Sequence, residues 1–264
     1  MKHSQKCVLS SICTLADGPQ CSARCASYVA LYGFSGQSGR IAAANLPEDY
    51  RLVTLANSPA KDAQAIGGYR VYDMVRQYTS TFTRQFADVA EESGQSRIKS
   101  LYLASDSPGT GKTTTAAAIL NEYIAVHYVG SLRRGLPVHE RPAYFLDVNA
   151  WQSDYNEFNR PRVPEHIAEP ASARYYNAQK AAMSAPFVVL DDMGVRDCTE
   201  AFRADLHRII NARVSSGLPT VYTSNVALTQ LNEVFREQPA RLADRVRDMC
   251  AEITFIGGSQ RGMR

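Results

Sequence analysis

The chain lacks any uninterrupted apolar run approaching the about 18 residues that a membrane-crossing helix needs. Its first residues, Met1-Lys2-His3-Ser4-Gln5-Lys6-Cys7, lack the apolar core of a secretory signal. The expectation is a cytoplasmic protein with no membrane partner, in a compartment where thiols stay reduced. An excess of one charge is also missing: 29 Lys and Arg stand against 26 Asp and Glu, so bulk charge neither demands nor excludes nucleic acid. Internal repeats and low-complexity tracts are absent. What is present is a 264-residue chain that is 45% apolar and 21% charged, enough to bury a core and too apolar for wholesale disorder.

Composition divides the chain into three parts. Residues 1–45 are rich in Cys, Ser and Gly. Residues 46–97 form a linker leading into a helix over about 63–92, with Val71, Met74, Val75, Tyr78, Phe82 and Phe86 as its apolar stripe. Residues 98–264 alternate strand-like and helix-like segments, the pattern of an α/β domain with a mostly parallel, helix-covered sheet. Strands are expected at Ile98–Ala104, Ala143–Val148, Phe187–Asp191, Thr220–Ser224 and Glu252–Ile256. Helices are expected at Lys112–Tyr128 and Thr199–Val214. The polar, Pro-containing stretch 159–186 reads as a mobile insertion.

Chemistry concentrates where the first of these strands ends. Asp106-Ser107-Pro108-Gly109-Thr110-Gly111-Lys112-Thr113-Thr114 follows an apolar strand and opens a helix, the context of a phosphate-binding Walker A loop. Gly109 and Gly111 let the backbone turn its N–H groups toward phosphate oxygens, and the helix N-terminus adds a positive dipole end. Pro108 through Thr114 are therefore the expected ATP-binding stretch. Within it Lys112 is placed to reach the β- and γ-phosphates and Thr113 to ligate Mg2+. One position departs from the motif: Asp106 stands where the first glycine is usual. Its acid is unfavourable near phosphate unless it points away, although Asp tolerates left-handed backbone angles.

A second strand ends in Leu190-Asp191-Asp192-Met193-Gly194, the form of a Walker B segment. Asp191 is the expected Mg2+ ligand and Asp192 the general base for an attacking water. Thr223-Ser224-Asn225 ends a third strand, and Asn225 is a candidate for contact with that water or with the γ-phosphate. Arg133-Arg134 with Trp151, Tyr155, Tyr175 and Tyr176 offer guanidinium and aromatic surface suited to stacking single-stranded DNA.

Four of the six cysteines fall within the first 25 residues. Cys7, Cys13, Cys21 and Cys25 are spaced C-x5-C-x7-C-x3-C, a soft thiolate set that suits tetrahedral Zn2+, with His3 able to replace one thiolate. A segment this small needs metal to supply its folding energy.

Taken together these motifs resemble the AAA+ ATPases, and among them the bacterial and phage replicative-helicase loaders of the DnaC/DnaI type. The resemblance covers residues 46–264. It rests on the segments just quoted, on Arg241-Leu242-Ala243-Asp244-Arg245-Val246-Arg247, and on Gly258-Ser259-Gln260-Arg261. It implies that Arg245 is an arginine finger acting on a neighbouring subunit and that Arg261 is a second sensor arginine. Only 39 residues follow Asn225, too few for a full helical lid, and loaders of this type likewise have a reduced one. Some also carry a small zinc-bearing N-terminal domain that grips the helicase. The implied protein is a P-loop AAA+ module with a five-stranded parallel sheet, a reduced lid and an N-terminal zinc-binding domain. Its implied partners are a replicative DNA helicase, single-stranded DNA and its own copies joined through ATP sites. The implied setting is the cytoplasm of a bacterium or a phage-infected host. A transposition helper ATPase, a P-loop kinase for a small metabolite and an ATPase-dead adaptor are the alternatives.

Overall fold

The computed structural model describes residues 2–66, 69–87, 97–194, 199–232 and 241–259. Its centre is a five-stranded, all-parallel sheet. In chain order the strands are β3 (Ser100–Ala104), β4 (Ala143–Asp147), β5 (Phe187–Met193), β6 (Thr220–Ser224) and β7 (Cys250–Thr254), arranged in space as β4-β5-β6-β3-β7. A separate two-residue hairpin, β1 (Ala65–Ile66) with β2 (Tyr69–Arg70), precedes them. The five strands lie where the apolar runs predict, with ends displaced by up to two residues.

Successive strand residues face opposite sides, and two apolar clusters record this. Leu101, Leu103, Phe145, Phe187, Val189, Val221 and Ile253 join one cluster; Tyr102, Ala104, Tyr144, Leu146, Val188, Leu190 and Tyr222 join the other. The first face is covered by α5 (Lys112–Arg133), whose Ala116–Leu120 run is fully buried, and by the N-terminal third of the chain. Helices α6 (Val148–Phe158), α7 (Glu165–Ser184), α8 (Glu200–Ser215) and α9 (Arg241–Met249) contribute to the second cluster. Among the described residues no helix is long and apolar enough to cross a membrane.

Before β3 the described residues form short elements: α1 (Ala26–Tyr32), α2 (Gly39–Ala43), α3 (Ala60–Ala63) and α4 (Val71–Thr79), the last continuing as a 3-10 helix over Ser80–Phe86. The long helix expected over 63–92 is thus shorter, because the β1–β2 hairpin occupies its start; residues 88–92 lie outside the described residues. Val8, Leu9, Tyr28, Leu31, Ile41 and Leu46 share one apolar cluster with α5 and the sheet. The contact extends to the backbone of the edge strand β4. Phe145 N–H donates to the Ala44 carbonyl at 2.8 Å, and Asn45 Nδ2 donates to the Phe145 carbonyl at 3.0 Å. This covers part of an edge that would otherwise offer unpaired backbone groups.

Residues 165–184, within the stretch expected to be a mobile insertion, form α7. Its buried stripe, Ala171, Tyr175, Ala181 and Ala182, is built mostly of alanine, so it carries a weak hydrophobic signal. Two of the aromatics considered for DNA stacking are core residues. Trp151 is 2% exposed, stacks on the fully buried Tyr175 and donates from Nε1 to its carbonyl; Tyr176 is exposed. Arg133 ends α5, and Arg134 lies over the Phe86 ring at 4.5 Å.

Candidate nucleotide site

The Gly-rich loop joins β3, which lies between β6 and β7, to α5. Gly109 and Gly111 both adopt left-handed backbone angles, φ 74° and 99°. Gly111 is also forced by crowding: a Cβ there would lie 2.4 Å from the Ala60 Cβ. Asp106 is exposed and is not among the residues with positive φ, so the loop closes without a left-handed turn at that position and the acid faces solvent. Thr110 Oγ1 is buried with no hydrogen-bond partner among the described residues. The first turn of α5 has no side-chain cap at Gly111, which leaves its N–H groups to an anion. Loop, helix dipole and lysine together fit a polyphosphate.

Lys112 is 5% exposed. Its Nζ donates to Asn225 Oδ1 at 2.7 Å and to the Ser107 carbonyl at 3.3 Å. Asn225 therefore meets the loop lysine itself, a partner that the sequence did not indicate. Thr113 hydrogen-bonds the Asp191 carboxyl, so the two expected Mg2+ ligands adjoin each other. Thr114 is buried in the same helical turn.

Asp191 is 3% exposed, and burial pushes its carboxyl up to about 7. The hydroxyl of Thr223 and that of Thr113 oppose this shift, while the charges of Asp192 and Asp147 add to it. A divalent cation would favour the ionised form of such a carboxylate, so the donor set fits Mg2+. Asp192 has φ 58°, and Asn149 Nδ2 lies 3.5 Å from its Oδ2. Asn149, from the start of α6, carries no motif and was not legible in the sequence.

Around the loop, Gln64 is 2% exposed and links three segments. Its Nε2 donates to the carbonyls of Thr110 and Ile256, and its Oε1 accepts from Ile256 N–H. Tyr72 Oη bonds both Ser58 and Thr115. Ser58, Gln64 and Tyr72 thereby fasten their segments to the loop and to the first turns of α5.

Three comparisons bear on this geometry. No protein-family model and no curated protein sequence matches the chain. Among solved structures, a primosome component from Streptococcus pyogenes serotype M3 has 21% identity and a TM-score of 0.51, with 82% of this chain and 92% of that one covered. DnaI has 20% identity and a TM-score of 0.52, with 82% and 94% covered. The fold is shared with these two proteins. Within this fold the Gly-rich loop, the Asp191–Asp192 strand end and Asn225 converge at the ends of three neighbouring strands, β3, β5 and β6.

Arg245 and Arg261 are the remaining site residues expected in the ATPase domain. Arg245 is exposed on α9, and its guanidinium donates to Asn211 Oδ1 of α8 at 2.9 Å. Arg261 lies outside the described residues. Beyond β7 the described residues, to Ser259, contain no helix.

Cys7, Cys13, Cys21 and Cys25 line one cavity together with His3, whose Nε2 is buried without a partner among the described residues. All four thiols are free, and burial pushes that of Cys7 up. Yet among the described residues no three His, Cys, Asp or Glu side chains form a group able to hold a metal ion. The described residues thus do not show the expected zinc centre, although its four thiols border a common space.

Proposed function

We propose that the protein is an ATP-dependent loader that binds a replicative DNA helicase and delivers it onto single-stranded DNA during replication initiation. It acts in the cytoplasm, in a bacterium or a phage-infected host, as an oligomer assembled through its ATP sites. The observation that carries this reading is the junction at Lys112. There a left-handed Gly-rich loop, an uncapped helix N-terminus and the Thr113–Asp191 pair meet in a loader-like fold.

The chemistry assigned to each residue follows from charge and position. The backbone N–H groups of the loop and the Lys112 ammonium bind and orient the β- and γ-phosphates of ATP. Thr113 and Asp191 would hold Mg2+, which neutralises charge on the phosphates. Asp192 accepts a proton from the attacking water, and Asn225 orients that water once Lys112 has turned to the nucleotide. Arg245 stabilises negative charge at a neighbouring subunit's site, and Arg261 serves as a second sensor. ATP binding thereby orders the interface between subunits, and hydrolysis loosens it.

The test is the mass of the protein mixed with replicative helicases, measured with and without ATP and single-stranded DNA. The proposal expects a complex with a helicase whose composition changes with ATP. No complex with any replicative helicase, alongside intact ATP binding, would overturn the loader function and leave the nucleotide site standing.

A further inference from the structure

Strand geometry makes adjacent carboxylates an awkward pair. Consecutive residues point to opposite faces, so Asp191 and Asp192 in a regular strand would be divided between the two sides of the sheet. The register of β5 against β6 avoids this. Leu190 pairs with Tyr222 and Met193 pairs with Ser224, which leaves both Asp191 and Asp192 opposite the single residue Thr223. This is a bulge, two residues against one. Leu190 and Met193, three apart, enter the same apolar cluster, whereas strict alternation would send them to opposite faces.

Thr223 is fully buried, and its hydroxyl spans the bulge. It donates its one proton to Asp191 Oδ1 at 2.6 Å and accepts the N–H of Asp192 at 2.9 Å. Asp192 meanwhile takes a left-handed backbone angle, φ 58°, that non-glycine residues seldom adopt. Ser224 closes the far side, donating from Oγ to the Met193 carbonyl at 2.7 Å.

We infer that Thr223 is a positioning residue: its hydroxyl holds the bulge that brings the metal-binding and base carboxylates to one site. The inference rests on the nucleotide reading above and deepens it. Without the hydroxyl, Asp191 loses a donor that fixes its carboxylate beside Thr113, and the Asp192 N–H loses its acceptor.

Thr223→Val keeps the shape and removes both hydrogen bonds; Thr223→Ser keeps both and removes only a methyl group. The primary measurement is the gain in ATP affinity when Mg2+ is added, which needs no turnover. The hydrolysis rate is the second. Thr223→Val is expected to bind ATP without Mg2+ as the unaltered protein does. It should lose about 10-fold or more of the Mg2+-dependent gain and of the hydrolysis rate, the scale of a hydrogen bond to a charged group. Thr223→Ser should retain both to within about threefold. A general packing defect would instead weaken binding equally with and without Mg2+.

An unchanged Mg2+ response in folded Thr223→Val overturns the inference. If Thr223→Val does not fold, a lost Mg2+ response in folded Thr223→Ser overturns it and a retained one supports it. Absence of ATP binding in the unaltered protein is a different failure: it removes the nucleotide reading and this inference with it.

Discussion

The Lys112 ammonium and the Asn225 side-chain carbonyl lie 2.7 Å apart, the distance of a strong charge-assisted hydrogen bond. Asn225 thus occupies the lysine that the proposed function assigns to ATP. Asn225→Ala removes this competitor. ATP affinity should stay within about threefold of the unaltered protein, or tighten, while hydrolysis falls by about 10-fold because the water loses an orienting amide. Equilibrium nucleotide binding with single-turnover hydrolysis measures both. A weakened affinity with an unchanged rate would make Asn225 a support for the loop instead.

Arg245 is expected to act in trans. It is exposed on α9, where Asn211 is its hydrogen-bond partner. Arg245→Ala should leave folding and ATP binding nearly intact and sharply reduce ATP-dependent oligomerisation or hydrolysis. Mixing is decisive. Arg245→Ala subunits keep the loop lysine, and Lys112→Ala subunits keep the finger, so mixed oligomers should recover part of the lost activity. Mixed oligomers without recovery would place Arg245 in its own subunit's chemistry or in structure.

His127 makes the fold sensitive to acid. It is 6% exposed; its Nδ1 pairs with Gln85 Oε1 at 2.8 Å, and its Nε2 accepts the His139 N–H at 3.3 Å. Both bonds require the neutral ring with the proton on Nδ1. Burial pushes its pKa down to about 4, and the charges of His139 and Arg40 push the same way. A depressed histidine pKa means that the unfolded chain binds the proton first. The stability from neutral His127 is complete above about pH 6.5 and falls as pH drops toward 4. Between pH 7.5 and 5, the unaltered protein should lose about 2 kcal/mol more than His127→Gln. Urea unfolding at the two pH values measures this, and equal losses would contradict it.

Arg40 ties the N-terminal region to the chain after α5. Its guanidinium donates to the carbonyls of Ala30, Val138 and His139, at 2.8, 3.3 and 2.9 Å. Arg40→Ala should destabilise the whole fold by about 1–3 kcal/mol, since three carbonyls lose a charged donor. One cooperative transition at a lower urea midpoint is expected. Loss of structure confined to residues 1–45 would show that this region unfolds on its own.

Motifs with obligatory local chemistry were legible in the sequence. The Gly109-Thr110-Gly111-Lys112-Thr113 loop announces itself because only certain residues can turn there and meet phosphate, and short apolar runs mark strands buried on both faces. Features that depend on distant partners were not legible. Gln64 and Asn149 carry no motif, and their roles arise from contacts with Thr110, Ile256 and Asp192 that only the fold creates. Helix α7 escaped notice because alanine carries little hydrophobic signal. The bulge at Asp191–Asp192 escaped because register against β6 cannot be read from β5 alone. The cysteine spacing signalled proximity, which the shared cavity bears out, but spacing does not determine convergence on a metal.

The central claim is that Lys112 sits in an ATP site, and one measurement tests it most directly: equilibrium binding of Mg-ATP to the unaltered protein and to Lys112→Ala. The account predicts saturable binding by the first. It predicts at least about 10-fold weaker binding by the second, with the folded structure retained, because a charge-assisted contact to phosphate is lost. Equal affinities in two folded proteins, or no binding to either, would contradict it.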